Sequence, residues 1–384
     1  MNDPVSHALL PAGLRDVLPP DAEFEAGVAG GLLAHFAGYG YERVKPPLVE
    51  FEDSLLAGAG AAMAGATFRL MDPASQRMMG LRADITPQIA RLAATRLAGA
   101  PRPLRLSYAG EVLCLAGGQL RPEREFLQVG AELIGSESAA GDAELIVLAA
   151  EALAAAGVAQ LSADLTEPTL VTAVCEGLEL DDGAVVRIRA ALDRKDASAV
   201  TAIGGRGATL LGALLRAAGP HERALEALAG LDLPPRAALV RDRLGEVAGL
   251  VARAAPDLGL TIDPVEHRGF EYQTGVSFTL FGRGVRGELG RGGRYRVGET
   301  EPAAGFTLYM DTVLRALPRP SRGRRVFLPR SVDRDEAARL RDEGWIAVAG
   351  FEETADPADE ARRLGCSHFY LEGKIVALDG RRGE

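Results

Sequence analysis

Apolar residues recur every four positions after Asp21, at Phe24, Val28, Leu32 and Phe36, and the run closes on Gly38 and Gly40. That spacing predicts a helix with one buried face. The preceding Leu10–Pro20 carries Pro11, Gly13, Pro19 and Pro20 and reads as an extended arm. Tyr41–Val49 reads as a strand broken by Pro46-Pro47, and Phe51–Ala66 as a small-residue helix or loop. Phe68–Met71 and Met78–Arg82 predict a hairpin around Asp72-Pro73. From Leu81 the pattern gives a strand ending in Arg82-Ala83-Asp84, then a helix with Thr86 as N-cap and Pro87 at its first position. Two β-runs follow, Leu104–Leu115 and Arg124–Ile134, linked by Ala116–Pro122. Charged and polar residues spaced along these otherwise apolar runs predict a polar pocket floored by a sheet.

Ala139–Ala156 reads as a helix stopped by Gly157, and Leu161–Leu165 as a strand. From Pro168 to about Ala254 the chain is helix-like throughout, broken at Asp181-Asp182-Gly183, Gly204-Gly205, Gly219-Pro220 and Pro234-Pro235. It reads as a helical insertion over about 177–234 with a return helix at Arg236–Ala254. Strands are expected at Leu260–Val265, Gly275–Phe281, Arg286–Leu289 and Ala303–Leu308, with a helix at Asp311–Leu317. Residues 318–323 (PRPSRG) form a linker by composition. Residues 1–317 then make one domain, and 324–384 a small α/β appendage with too little core to stand far from marginal stability.

Composition narrows the field. The 384 residues are 47% hydrophobic and 25% charged, as in an ordinary soluble globular chain. The net charge of -10 gives no global attraction to nucleic acid. Cys114, Cys175 and Cys366 share no paired spacing, which argues against disulfides and a zinc site. The N-terminus lacks the pattern of a secretory signal, and no apolar run is long enough to span a bilayer. The expected compartment is the reducing cytoplasm, without membrane, metal or cofactor. Residues 282–287, GRGVRG, match GxGxxG but run into ELGRGG rather than a helix, and are read as a hairpin turn. The five histidines are scattered, and Cys114 reads as a small buried hydrophobe.

Four separated segments agree jointly with one family. Leu14-Arg15-Asp16-Val17-Leu18-Pro19-Pro20 with Gly40-Tyr41-Glu42-Arg43-Val44, then Leu81–Thr86 with Arg124–Gly135, then Arg268-Gly269-Phe270-Glu271-Tyr272, then Gly292-Gly293-Arg294-Tyr295, resemble the histidyl-tRNA synthetases. Order and spacing agree from about residue 10 to 317. The resemblance implies an α+β fold of the class II aminoacyl-tRNA synthetase type, an antiparallel sheet flanked by helices, dimeric through the Leu14–Pro47 region. It also implies an amino-acid pocket built from Asp84, Thr86, Gln128, Glu132, Arg268, Tyr272, Gln273 and Tyr295. There Asp84 stands for a glutamate on the substrate's amino group, Glu132 suits an imidazole, and Arg268 suits a carboxylate.

The departures point elsewhere than catalysis. The family's ATP-binding arginine and glutamate of motif 2 fall at Cys114 and Ala116. The motif 3 arginine falls at Thr312, and Tyr309 replaces a glycine. Losing one fixed donor of this kind typically costs about a hundred- to a thousand-fold in rate, so losing two should abolish adenylation. The short appendage also replaces an anticodon-binding domain. A synthetase-like chain with these losses resembles the regulatory subunits of ATP phosphoribosyltransferase, the first enzyme of histidine biosynthesis. That group catalyses nothing itself, binds no tRNA, assembles as a homodimer within a hetero-oligomer with a short-form catalytic subunit, and carries feedback inhibition by histidine. A divergent histidyl-tRNA synthetase and a stand-alone amino-acid sensor are the alternatives.

Overall fold

The four-residue apolar spacing after Asp21 folds as the helix Asp21–Gly38, which buries Ala29, Leu32 and Phe36. The structure is a computed structural model that describes residues 9–118, 121–202, 204–267, 273–318 and 323–378. Among them, nine strands make the principal sheet in the order Glu42–Arg43, Leu104–Leu113, Glu125–Ile134, Glu301–Tyr309, Gly290–Val297, Ser277–Gly282, Leu161–Thr166, Gly259–Ile262 and Gly219–Pro220. The central pairings are antiparallel. Parallel pairing occurs towards the edges, Glu42–Arg43 with Leu104–Leu113 and Leu161–Thr166 with Gly259–Ile262.

Period-two alternation gives this sheet two different faces. Val129, Ala131, Leu133, Ala304, Phe306 and Leu308 face one way, into a core shared with the helices Asp21–Gly38 and Ala139–Ala156. Phe36 and Phe306 meet edge-on there, ring centroids 5.4 Å apart. The helix Ala139–Ala156 starts where Ser138 Oγ accepts the Gly141 N–H at 3.0 Å, and ends at Gly157 in left-handed backbone (φ 105°). On the opposite face, Tyr108, Phe126, Tyr295 and Tyr309 pack with Ile85 and Ile89. The helix Thr86–Ala94, with its buried Ile89 and Ala93, therefore lies on the side where Gln128 and Glu132 emerge.

The helical block folds as Thr169–Gly177, Asp182–Asp193, Ala197–Ala202, Gly205–Arg216, His221–Ala229 and Pro235–Ala254. Its buried Ile188, Leu192, Leu211 and Leu228 belong to the main core rather than to one of their own. Gly219-Pro220, expected as a helix break alone, is also a two-residue strand at the sheet edge. The strand expected at Arg286–Leu289 lies later, at Gly290–Val297. Gly284 and Gly287, at φ of 83° and 93°, shape the turn that the GxGxxG match occupies. A third sheet, Val49–Phe51, Met78–Leu81 and Arg69–Met71, contains the hairpin around Asp72-Pro73.

The chain divides into two compact units, with the smaller formed chiefly by residues 323–378. In the smaller unit Arg325–Leu328 runs parallel to Ile346–Ala349 and to His368–Leu371, and Lys374–Ala377 closes the sheet antiparallel. Val326 and Leu328 pack under Leu340 and Trp345, while Phe327 turns the other way to Ala361 and Cys366. Among the described residues no helix is long and apolar enough to cross a membrane.

Candidate functional site

Glu132 sits mid-strand on the second face of the principal sheet, 1% exposed, with a hydroxyl aimed at each of its oxygens. Thr86 Oγ1 donates to Oε1 at 3.0 Å and Tyr295 OH to Oε2 at 3.0 Å, while Tyr108 OH reaches Oε1 at 3.4 Å. Burial dominates over these donors and pushes the carboxyl up to about 8. The close approach depends on Gly305, the cross-strand partner of Glu132, where a Cβ would fall inside the carboxylate.

Thr86 departs from the expectation of an N-cap. It is the first residue of Thr86–Ala94, Ile85 stands at the cap in helical backbone, and no side chain caps the helix. The Thr86 hydroxyl is turned into the pocket towards Glu132 instead, and Pro87 in the first turn has no N–H to leave unsatisfied. Gln128 lies on the same face of the strand as Glu132, 3% exposed, and its Oε1 accepts the Ile85 N–H at 3.1 Å. Asp84 is half-buried beside it and accepts the Thr86 N–H at 3.4 Å. Desolvation raises the Asp84 carboxyl above the usual carboxylate range, opposed by the Thr86 and Ile85 N–H groups, the Gln128 amide and the Arg291 charge.

Gln273 reaches the same face from the adjoining loop. It is 8% exposed, accepts a hydrogen bond from Ser277, and occupies the space that a Cβ on Gly293 would need. Asp84, Thr86, Gln128, Glu132, Gln273 and Tyr295 thus converge on one surface of the sheet and its covering helix. Arg268 and Tyr272, the other two residues singled out in the sequence, lie outside the described residues.

Sheet register adds residues that motif reading missed. Arg291, Gly293 and Tyr295 share a face, paired across to Thr307, Gly305 and Ala303. Thr307 Oγ1 lies 2.7 Å from Tyr108 OH, whose ionisation burial holds well above the ordinary tyrosine range. The period of two, counted back from Tyr295, was the available signal for Arg291. Tyr108 carried none, because its neighbours in the sequence read as plain core.

Where the synthetase resemblance expects ATP arginines, the chain has other contacts. Cys114 is partly exposed rather than fully buried, its thiol pushed up by burial and by Asp84. Arg121 lies 3.7 Å over the Tyr309 ring, 4.9 Å from Phe126 and 3.2 Å from Asp311. Thr312 is 1% exposed and takes a hydrogen bond from Arg315 at 3.0 Å. Arg82 is buried against backbone, donating to the Glu111 and Pro46 carbonyls at 2.7 and 3.0 Å. The arrangement offers hydroxyls, an amide and two carboxyls to a small polar ligand. Among the described residues no group of three or more His, Cys, Asp or Glu could hold a metal ion.

Comparisons with known proteins bear on the fold and the family. A family described as histidyl-tRNA synthetase matches residues 13–313. A Rhodospirillum centenum protein named ATP phosphoribosyltransferase regulatory subunit is 58% identical over 383 residues, covering 99% of each chain. A Bacillus halodurans structure, described as an ATP phosphoribosyltransferase regulatory subunit/histidyl-tRNA synthetase, superposes with a TM-score of 0.80 at 24% identity, covering 94% of this chain and 97% of that one. A chain of the Thermotoga maritima ATP phosphoribosyl transferase (HisG:HisZ) complex has a TM-score of 0.60 at 16% identity, covering 74% of this chain and 97% of that one.

Proposed function

The chain belongs to the family of ATP phosphoribosyltransferase regulatory subunits, on a histidyl-tRNA synthetase fold, and from that membership we propose that its pocket binds histidine as a feedback signal. Its role is that of a non-catalytic subunit in histidine biosynthesis, working with the catalytic subunit of that enzyme. The reading extends this to the short-form catalytic subunit and to a homodimer through Leu14–Pro47, where Val17 and Leu18 are exposed apolar residues.

One observation carries the histidine assignment: Glu132, buried and flanked by the Thr86, Tyr108 and Tyr295 hydroxyls. A neutral imidazole presents one donor and one acceptor. Glu132 takes the donor, and a neighbouring hydroxyl turns to serve the acceptor. Asp84, Thr86 and Gln128 gather at the helix start, where an α-ammonium would be met by a carboxylate and two neutral oxygens. Feedback then requires histidine to favour one state of the assembly over another, because equal affinity for both shifts nothing.

Calorimetric titration of the purified chain with L-histidine, alongside Glu132→Ala, tests the pocket. Binding that disappears in the variant supports it, and unchanged binding in the variant moves the site elsewhere. Co-expression with a short-form catalytic subunit should give a stable complex whose activity falls as histidine is added. A chain that ignores both the partner and histidine ends the proposal.

A further inference from the structure

A zwitterion needs a cation opposite its carboxylate, which neither Asp84 nor Glu132 supplies. The synthetase resemblance offers Arg268, outside the described residues, and the described residues offer Arg291. The strand Gly290–Val297 places Arg291 and Tyr295 on one face with Gly293 between them. Tyr295 marks the Glu132 end of the pocket through its 3.0 Å hydrogen bond. Arg291 marks the other end, four residues back and about 13 Å along the strand at roughly 3.3 Å per residue. Between them the floor is glycine: Gly293, its partner Gly305, and Gly130 opposite Thr307. The missing Cβ atoms let Gln273, Glu132 and Tyr108 close down on the sheet between the two ends.

The guanidinium is held rather than loose. Its Nη2 meets both Glu288 oxygens, at 2.7 and 2.6 Å. Its charge acts on Asp84, the carboxylate that would face the ligand's ammonium. Ammonium and carboxylate share one carbon in an α-amino acid, so the group that neutralises one must stand close to the group that neutralises the other. Arg291 is the cation whose charge acts on Asp84, and a planar guanidinium suits a carboxylate better than a lysine ammonium does.

We propose that Arg291 receives the α-carboxylate of the amino-acid ligand and makes the site select histidine over its carboxylate-free analogues. The inference rests on the reading that this pocket binds histidine. Its test is calorimetric titration of the full chain with L-histidine and with L-histidinol, in which a hydroxymethyl group replaces the carboxylate, for wild type, Arg291→Gln and Arg291→Lys. Wild type is expected to prefer histidine by roughly ten- to a hundred-fold, the span of one charge-assisted hydrogen bond. Arg291→Gln should lose that preference by weakening histidine alone, with histidinol affinity kept, and Arg291→Lys should keep part of it.

Arg291→Gln with the wild-type preference intact overturns the inference. So does equal weakening of both ligands, which would mark Arg291 as a structural residue, or a preference that vanishes in Arg268→Gln and survives in Arg291→Gln. In each of these cases histidine still binds the wild type, so the function reading stands. No histidine binding to the wild type brings down that reading and this inference together.

Discussion

Glu132 is a carboxyl that folding makes harder to ionise, and the sign of its effect on stability follows. Its ordinary value is 4.5 and burial lifts it to about 8. Between those values the folded chain keeps a proton that the unfolded chain has released, so stability is full at low pH and declines as pH rises through about 8. Each pH unit in that window is worth about 1.4 kcal/mol, so that single site should cost about 2–3 kcal/mol between roughly pH 6 and 8.5. Glu167, buried and lifted to about 7, adds a decline of the same sign, so the comparison must be with Glu132→Gln. Urea unfolding across that pH range should show a steeper loss in wild type than in the variant, and parallel losses would mean that Glu132 is ionised throughout. The residue stood out in the sequence as a charged position in an apolar run. Its protonation was not, because it depends on Thr86, Tyr108 and Tyr295, which lie 46, 24 and 163 positions away.

Elements governed by their own residues were legible, and those governed by distant partners were not. Ala139–Ala156 matches the sequence expectation because Ser138 and Gly157, its two ends, are local signals. The start of Thr86–Ala94 was misread because the Thr86 hydroxyl, a good local cap, is used by Glu132 across the pocket. Gly290–Val297 escaped notice as a strand because its glycines speak locally for a loop. They are required by close neighbours instead, since a Cβ on Gly292 would lie 2.6 Å from the Phe278 ring. The same strand is tied to the helix Ala139–Ala156 by Asp142, 4% exposed, which accepts from Arg294 and Arg243 at 2.9 Å each. Asp142→Ala would leave Arg294, itself 9% exposed, without its carboxylate. Breaking a buried pair from one side typically costs about 3–5 kcal/mol, and thermal or urea unfolding should register a loss of that order. A loss below about 1 kcal/mol would show that Arg243 and Arg294 find water or other partners.

At the scale of the whole molecule the amino-acid half of the synthetase-like site keeps its polar groups, while Cys114, Thr312 and the Arg121–Tyr309 contact occupy the other half. A chain of this kind can influence a partner's activity only through the free-energy difference that its ligand makes between two assembly states. Linkage makes that difference measurable from either side: whatever factor the catalytic subunit applies to histidine affinity, histidine applies to the catalytic subunit's affinity. Couplings of this type are typically about 1–3 kcal/mol, or roughly five- to 150-fold. Histidine affinity should therefore differ by a factor in that range between the isolated chain and the complex, as read by calorimetry on each. Titrating the catalytic subunit into this chain with and without saturating histidine should return the same factor. Glu132→Ala should abolish the coupling while the complex itself still forms, because Glu132 faces the pocket rather than the surface. Equal histidine affinity in the free chain and the complex would place feedback outside this pocket, whatever the pocket binds.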